Sequence, residues 1–138
     1  MTTSLQIFYN RLRYGKHTFN DHAHVFAAPH TNPDGTKGGW VAETALVESE
    51  CWINEEAEVY EFAQVRDNAK VLGRATVNGF ANVAEDAILD DWAYVTDNSV
   101  IQGDTYIGGN TIVSGDSYVD YGKLDIDKIC QNLKKMKA

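Results

Sequence analysis

The chain has 138 residues, one domain by length and enough to bury a core, and its formal net charge is −8. That balance excludes a nucleic-acid binder held by its own basic surface, and the N-terminal MTTSLQIFYNRLR lacks the apolar run of a signal peptide or membrane span. Cys51 and Cys130 stand far apart without metal spacing and read as reduced thiols of a cytoplasmic protein; no cofactor, metal or membrane partner is expected.

Residues 1–40 read as an N-terminal cap with an irregular first coil. LQIFY and RLRY within 1–16 predict a short strand or hairpin. HTFNDHAHVF sets Phe19 six before Val25, so a six-residue rhythm begins early. PHTNPDGTKGG, over 29–39, then breaks that rhythm with a loop of turn residues. Both prolines, Pro29 and Pro33, fall outside the regular repeat, as a sheet-paired backbone requires.

From Val41 to Val119, every sixth residue is aliphatic: fourteen positions without an exception. Two places before each, from Ala45 to Ser117, the residue is always small: Ala eight times, otherwise Cys51, Ser99, Thr105, Thr111 and Ser117. Positions two apart on an extended segment share a face, so the small and aliphatic residues point inward together. The residues that follow are mostly Asp, Asn, Glu or Gly, which tolerate a tight corner. Each hexad is thus a short strand and a corner. Three hexads make a coil of about 18 residues, with rungs about 4.8 Å apart.

The segment after 122, LDIDKICQNLKKMKA, predicts an amphipathic α-helix over 123–138. Ile126, Ile129, Cys130, Leu133 and Met136 follow helical spacing, with acids at the start and lysines at the end. Such a helix would cover the last coil.

The hexad pattern over 41–122 resembles the hexapeptide-repeat family of left-handed parallel β-helices. The resemblance implies an all-β left-handed parallel β-helix, here a triangular prism with 18 residues per coil, and the amphipathic C-terminal segment adds its capping helix. The left-handedness comes from the resemblance alone. DGTKGGWV at 34–41 and CWINEEAEVY at 51–60 are similar, more finely, to the uncharacterised YdcK-like group of bacterial and phage β-helical repeat proteins.

Sorting outward residues by eighteen gives one face with Trp40, Glu58, Thr76, Tyr94 and Ile112 in one column, beside Ala42, Tyr60, Asn78, Thr96 and Ser114. Those ten positions hold one charge, so either a second copy or the chain's own N-terminal segment covers the face. Self-association as a dimer or trimer is the favoured expectation, with Trp40, Tyr60, Thr76, Tyr94 and Ile112 as contacts. A second apolar face carries Trp52, Leu72, Ile88 and Tyr106.

The repeat region 41–122 has sixteen acids against three bases, whereas both ends are net basic. Glu50, Asp67, Glu85, Asp86 and Asp104 fall on one corner edge. Such a ladder either keeps the prism soluble or presents carboxylates to a basic partner in imitation of a phosphate backbone. The best-known members of the resembling family move acyl groups with a histidine base, yet 41–122 contains no histidine. His17, His22, His24 and His30 all precede the regular repeat, and the HAH pair with His30 is a thin zinc signal. Cys51 sits in a small inward position that suits packing rather than attack. The acidity and the phage-type likeness lead to one functional expectation. It is a non-enzymatic interaction protein, phage-encoded and acting in the host cytoplasm, that inhibits a host nucleic-acid-binding defence system in the anti-CRISPR manner. An acyl- or acetyltransferase-like enzyme and a structural oligomeric scaffold are the alternatives.

Overall fold

The structure, a computed structural model, describes residues 15–19 and 24–137. The hairpin expected within 1–16 and His22 lie outside the described residues, apart from the short strand that begins at Gly15. Among the described residues there are seventeen β-strands and no helix, arranged as an all-β parallel solenoid of about five turns.

The solenoid follows from the hexad. Strands β4 (Leu46–Val47), β5 (Trp52–Ile53), β6 (Glu58–Val59), β7 (Gln64–Val65), β8 (Lys70–Val71), β9 (Thr76–Val77), β10 (Asn82–Val83), β11 (Ile88–Leu89) and β12 (Tyr94–Val95) are two residues each. Every one ends on the aliphatic residue of its hexad. Their partners are parallel and eighteen positions away, as in Glu58↔Thr76, Gln64↔Asn82 and Lys70↔Ile88. The rungs therefore form three stacks, two of which merge into one sheet because β13 (Val100–Gly109) runs through a corner without a break. Val59, Val65, Val71, Val77, Val83, Leu89 and Val95 are fully buried, and Ala57 through Ala93 fill the space beside them. Alanine fits because the interior leaves no room for a second branched side chain.

The N-terminal end is built differently. Strand β1 (Gly15–Thr18), β2 (His24–Thr31) and β3 (Lys37–Ala42) pair antiparallel, and β3 then pairs parallel with β6. Pro29 lies inside β2 opposite Trp40, beside a register shift where a missing N–H is tolerated. The connecting turn narrows to Asn32–Thr36, closed by Asn32 N–H donating to Thr36 O at 2.9 Å and by Gly35 at φ 87°. Asn32, buried, pairs with the free edge of β5: its Nδ2 donates to Ile53 O at 3.2 Å and its Oδ1 accepts from Ile53 N–H at 2.8 Å. His30 adds a 2.8 Å bond to Cys51 O. A Cβ on Gly39 would stand 2.0 Å from Ala57 O, so only glycine permits this close approach.

The C-terminal helix is not there. Residues 118–135 continue the solenoid as β15 (Tyr118–Ile126), β16 (Ile129–Gln131) and β17 (Lys134–Lys135), after β14 (Ile112–Ser114). Register explains the misreading. Pairing is eighteen apart at Ile101↔Val119, seventeen at Ile107↔Leu124 and Val113↔Cys130, and sixteen at Val119↔Lys135. Two corners have each lost a residue, which throws the hexad out of phase and leaves an accidental helical spacing. Leu124, Cys130 and Leu133 pack on the core, whereas Ile129 and Met136 are 69% and 60% exposed. Hydroxyls of the small column hold this coil: Thr111 Oγ1 donates to Ile126 O at 2.7 Å, and Ser117 Oγ accepts from Leu133 N–H at 2.8 Å. Of the four hydroxyl residues that replace Ala at 99–117, Thr111 and Ser117 perform that task. Leu133→Ala should cost about 2 kcal/mol and Ile129→Ala less than about 0.5 kcal/mol in urea unfolding, whereas a capping helix would make the two alike.

Candidate functional site: corner edges and the covered face

Each corner is a four-residue turn in which the small residue donates its N–H back to a carbonyl, as in Ala63 to Tyr60 and Ala75 to Leu72. From Glu61 to Gly115 one residue of each corner has positive φ, recurring every six residues: Glu61, Asp67, Gly73, Gly79, Glu85, Asp91, Asp97, Gly103, Gly109 and Gly115. Side-chain residues held there cost on the order of 1 kcal/mol or more. The compensation is a carboxylate that accepts the corner N–H of the next coil. Glu61 takes Gly79 N–H at 3.1 Å, Asp67 takes Glu85 at 3.0 Å, and Glu85 takes Gly103 at 3.2 Å. Asp91 and Asp97 take Gly109 and Gly115, both at 2.8 Å. Charge-assisted bonds of this kind are stronger than neutral ones.

The edge between the β4–β7–β10 and β5–β8–β11 stacks carries the five expected acids, and the structure separates them into two sorts. Asp67 and Glu85 serve the backbone ladder, which starts one coil lower with Glu48 Oε1 accepting Asp67 N–H at 2.8 Å. Glu50, Asp86 and Asp104 are exposed, and their carboxylates have no partner among the described residues.

On the next edge Phe62 and Phe80 stack with centroids 5.3 Å apart and planes within 8°. On the third, Glu56 Oε2 lies 2.7 Å from Arg74 Nε, and the Arg74 guanidinium stands 5.1 Å from the Trp92 ring. Both groups escape a reading that sorts only the flat faces, although the spacing of eighteen between Phe62 and Phe80 marks them as rung neighbours. Each stack also has a tyrosine that bonds a polar side chain sixteen residues earlier. Asn78 Nδ2 and Gln102 Nε2 donate to the Tyr94 and Tyr118 hydroxyls, both at 2.7 Å, and the Tyr106 hydroxyl donates to Asp90 Oδ2 at 3.0 Å.

The low-charge face is covered within the chain over its N-terminal part. Tyr60 is fully buried and stacks on Phe19 at 4.4 Å. Trp40 stacks on His17 at 4.3 Å, and His17 Nε2 lies 2.9 Å from Glu58 Oε2. Thr76 is buried as well, while Tyr94 and Ile112 are half-buried.

The described histidines serve the same N-terminal region. His24 bonds Thr18 Oγ1 at 2.7 Å, and partial burial holds His30 below the usual imidazole range. Among the described residues no group of three His, Cys, Asp or Glu could hold a metal, and no helix is long and apolar enough to cross a membrane. Both cysteines are free. Burial pushes the Cys51 thiol up to about 11, and its Sγ lies 3.3 Å from Asp67 O.

Three outcomes follow. Asp67→Ala should lower stability by about 1–2 kcal/mol, because the Glu85 amide loses its acceptor, while Asp67→Asn should stay within about 0.5 kcal/mol in the same denaturation. Cys51 should resist iodoacetamide near about pH 8 in the folded protein and react once urea unfolds it, read by mass spectrometry. Desolvation, with help from Asp90, raises Tyr106 to about 12, so its bond stabilises the fold fully below the ordinary tyrosine range and is lost as pH rises through about 12. Ultraviolet titration should show a phenolate forming near about 12 that Tyr106→Phe removes. No family model, curated protein or solved structure matches the chain.

Proposed function

We propose that the chain is a non-enzymatic interaction protein that lays an acidic corner edge against a basic surface. In its most concrete form it is phage-encoded and blocks a host nucleic-acid-binding defence complex, in the anti-CRISPR manner. One observation carries this reading: Glu50, Asp86 and Asp104 are exposed and have no partner among the described residues, on an edge whose other acids, Asp67 and Glu85, are tied to the backbone. The ladder bonds fix the rungs that carry the three free carboxylates. With rungs about 4.8 Å apart, Asp86 and Asp104 stand on adjacent rungs, and Glu50 lies two rungs from Asp86 because Asn68 occupies the position between. Fields of this kind raise association rates and select basic partners.

Two finer readings go with it. The strict hexad and its positive-φ corners support the left-handed, triangular hexapeptide-repeat type with an 18-residue coil, in the manner of the YdcK-like group. Tyr94 and Ile112, half-buried beyond the covered part of their face, support a dimer or trimer contact there. In the test, the wild-type chain and a Glu50→Lys, Asp86→Lys, Asp104→Lys variant are used as baits in bacterial host lysate. The wild type should recover a basic partner that salt releases, and the variant, equally stable, should lose it. Equal recovery by both would sink the acidic-edge reading.

A further inference from the structure

The corner aromatics show what this solenoid places on an exposed ring. On the edge between the β5–β8–β11 and β6–β9–β12 stacks, successive rungs present Glu56, Arg74 and Trp92. The carboxylate holds the guanidinium at 2.7 Å, and the guanidinium lies over the ring at 5.1 Å. An aromatic on a corner is thus flanked by an arginine that an acid pairs with, while the ring itself stays 58% exposed. The next edge repeats the geometry without the cation. Its rungs present Thr44, Phe62, Phe80 and Asn98, and the two rings are 56% and 65% exposed. Carboxylates lie beside them at Glu61 and Asp97, on the rungs of Phe62 and Asn98. Each commits one oxygen to a corner amide, Gly79 or Gly115, and the other oxygen has no partner among the described residues.

We propose that this ledge is the docking site for an arginine side chain of a basic partner protein. The guanidinium stacks on the outer face of Phe80 and pairs with the second oxygen of Asp97, so that it meets one ring and one carboxylate as Arg74 meets Trp92 and Glu56, with the chain order of acid and ring reversed. Arginine fits better than lysine because its planar head stacks and bonds at once, whereas an ammonium stays hydrated as a point charge. The net charge of −8 supplies the complementarity for a basic partner. The proposal rests on the interaction reading but assigns a second contact, on a different edge from Glu50, Asp86 and Asp104.

The test follows aromatic NMR signals of the whole chain during titration with tri-arginine amide and, separately, tri-lysine amide. Tri-arginine should shift the Phe62 and Phe80 ring signals saturably, with tri-lysine at least about five-fold weaker. Phe80→Leu should weaken tri-arginine binding by about five-fold or more, and so should Asp97→Asn, which keeps an oxygen for the Gly115 amide. Circular-dichroism melts check that both variants are folded. Equal responses to the two peptides, or unchanged affinity in Phe80→Leu, would overturn the proposal. Ring shifts that follow protein concentration alone would give the ledge to a second copy, and saturation by maltotriose would give it to a sugar; either result also overturns it. The triple lysine variant separates the two readings. If it abolishes tri-arginine binding while Phe80→Leu does not, the acidic edge stands and the ledge falls. If the ring shifts persist in the triple variant while lysate capture is unaffected by it, the ledge stands and the acidic edge falls.

Discussion

The fold depends on one repeated bond, from a corner carboxylate to the amide of the corner above it. A solenoid with six-residue sides turns at every hexad, and from Glu61 to Gly115 one residue of each turn stands at positive φ. Glycine meets that demand without a steric cost, and the chain uses it at Gly73, Gly79, Gly103, Gly109 and Gly115. At Glu61, Asp67, Glu85, Asp91 and Asp97 it uses an acid, whose side chain offsets the strain by satisfying an amide one coil further along. Much of the acidity is therefore structural. A functional reading must rest on the acids left over, such as Glu50, Asp86 and Asp104.

The solenoid was legible because its core obeys one rule: fourteen aliphatic residues in phase, each preceded by a small one. The five acids of the candidate edge were legible as a group for the same reason, but their separation into ladder and free carboxylates was not. Asp67 and Asp86 look alike in sequence, and only the φ of one of them tells them apart. The face around Trp40 and Tyr60 had two permitted covers, and composition could not choose between a second copy and Phe19 with His17. Asn32 was hidden because asparagine in a turn is ordinary; its pairing with β5 needs a contact twenty-one residues away.

The C-terminal coil shows how the same rule misleads when its phase slips. One lost residue at each of two corners moved Leu124 and Cys130 off the hexad, and the remaining apolar residues happened to match a helix. Thr111 and Ser117 in the small column were the available clue, because their hydroxyls bond the coil whose backbone pairing is irregular.

That slipped coil has a consequence for growth. Stacked rungs of constant perimeter are a template on which another chain could add, as in a fibril. Here the pairing distance falls from eighteen to seventeen to sixteen, so the last described coil is narrower than those it covers. Lys135 stands in register with Val119, and its ammonium lies 5.4 Å from the Tyr121 ring. A further rung laid on this end would find a tapered outline and a charge where an aliphatic side chain should be. The taper therefore disfavours a further regular eighteen-residue rung against this coil.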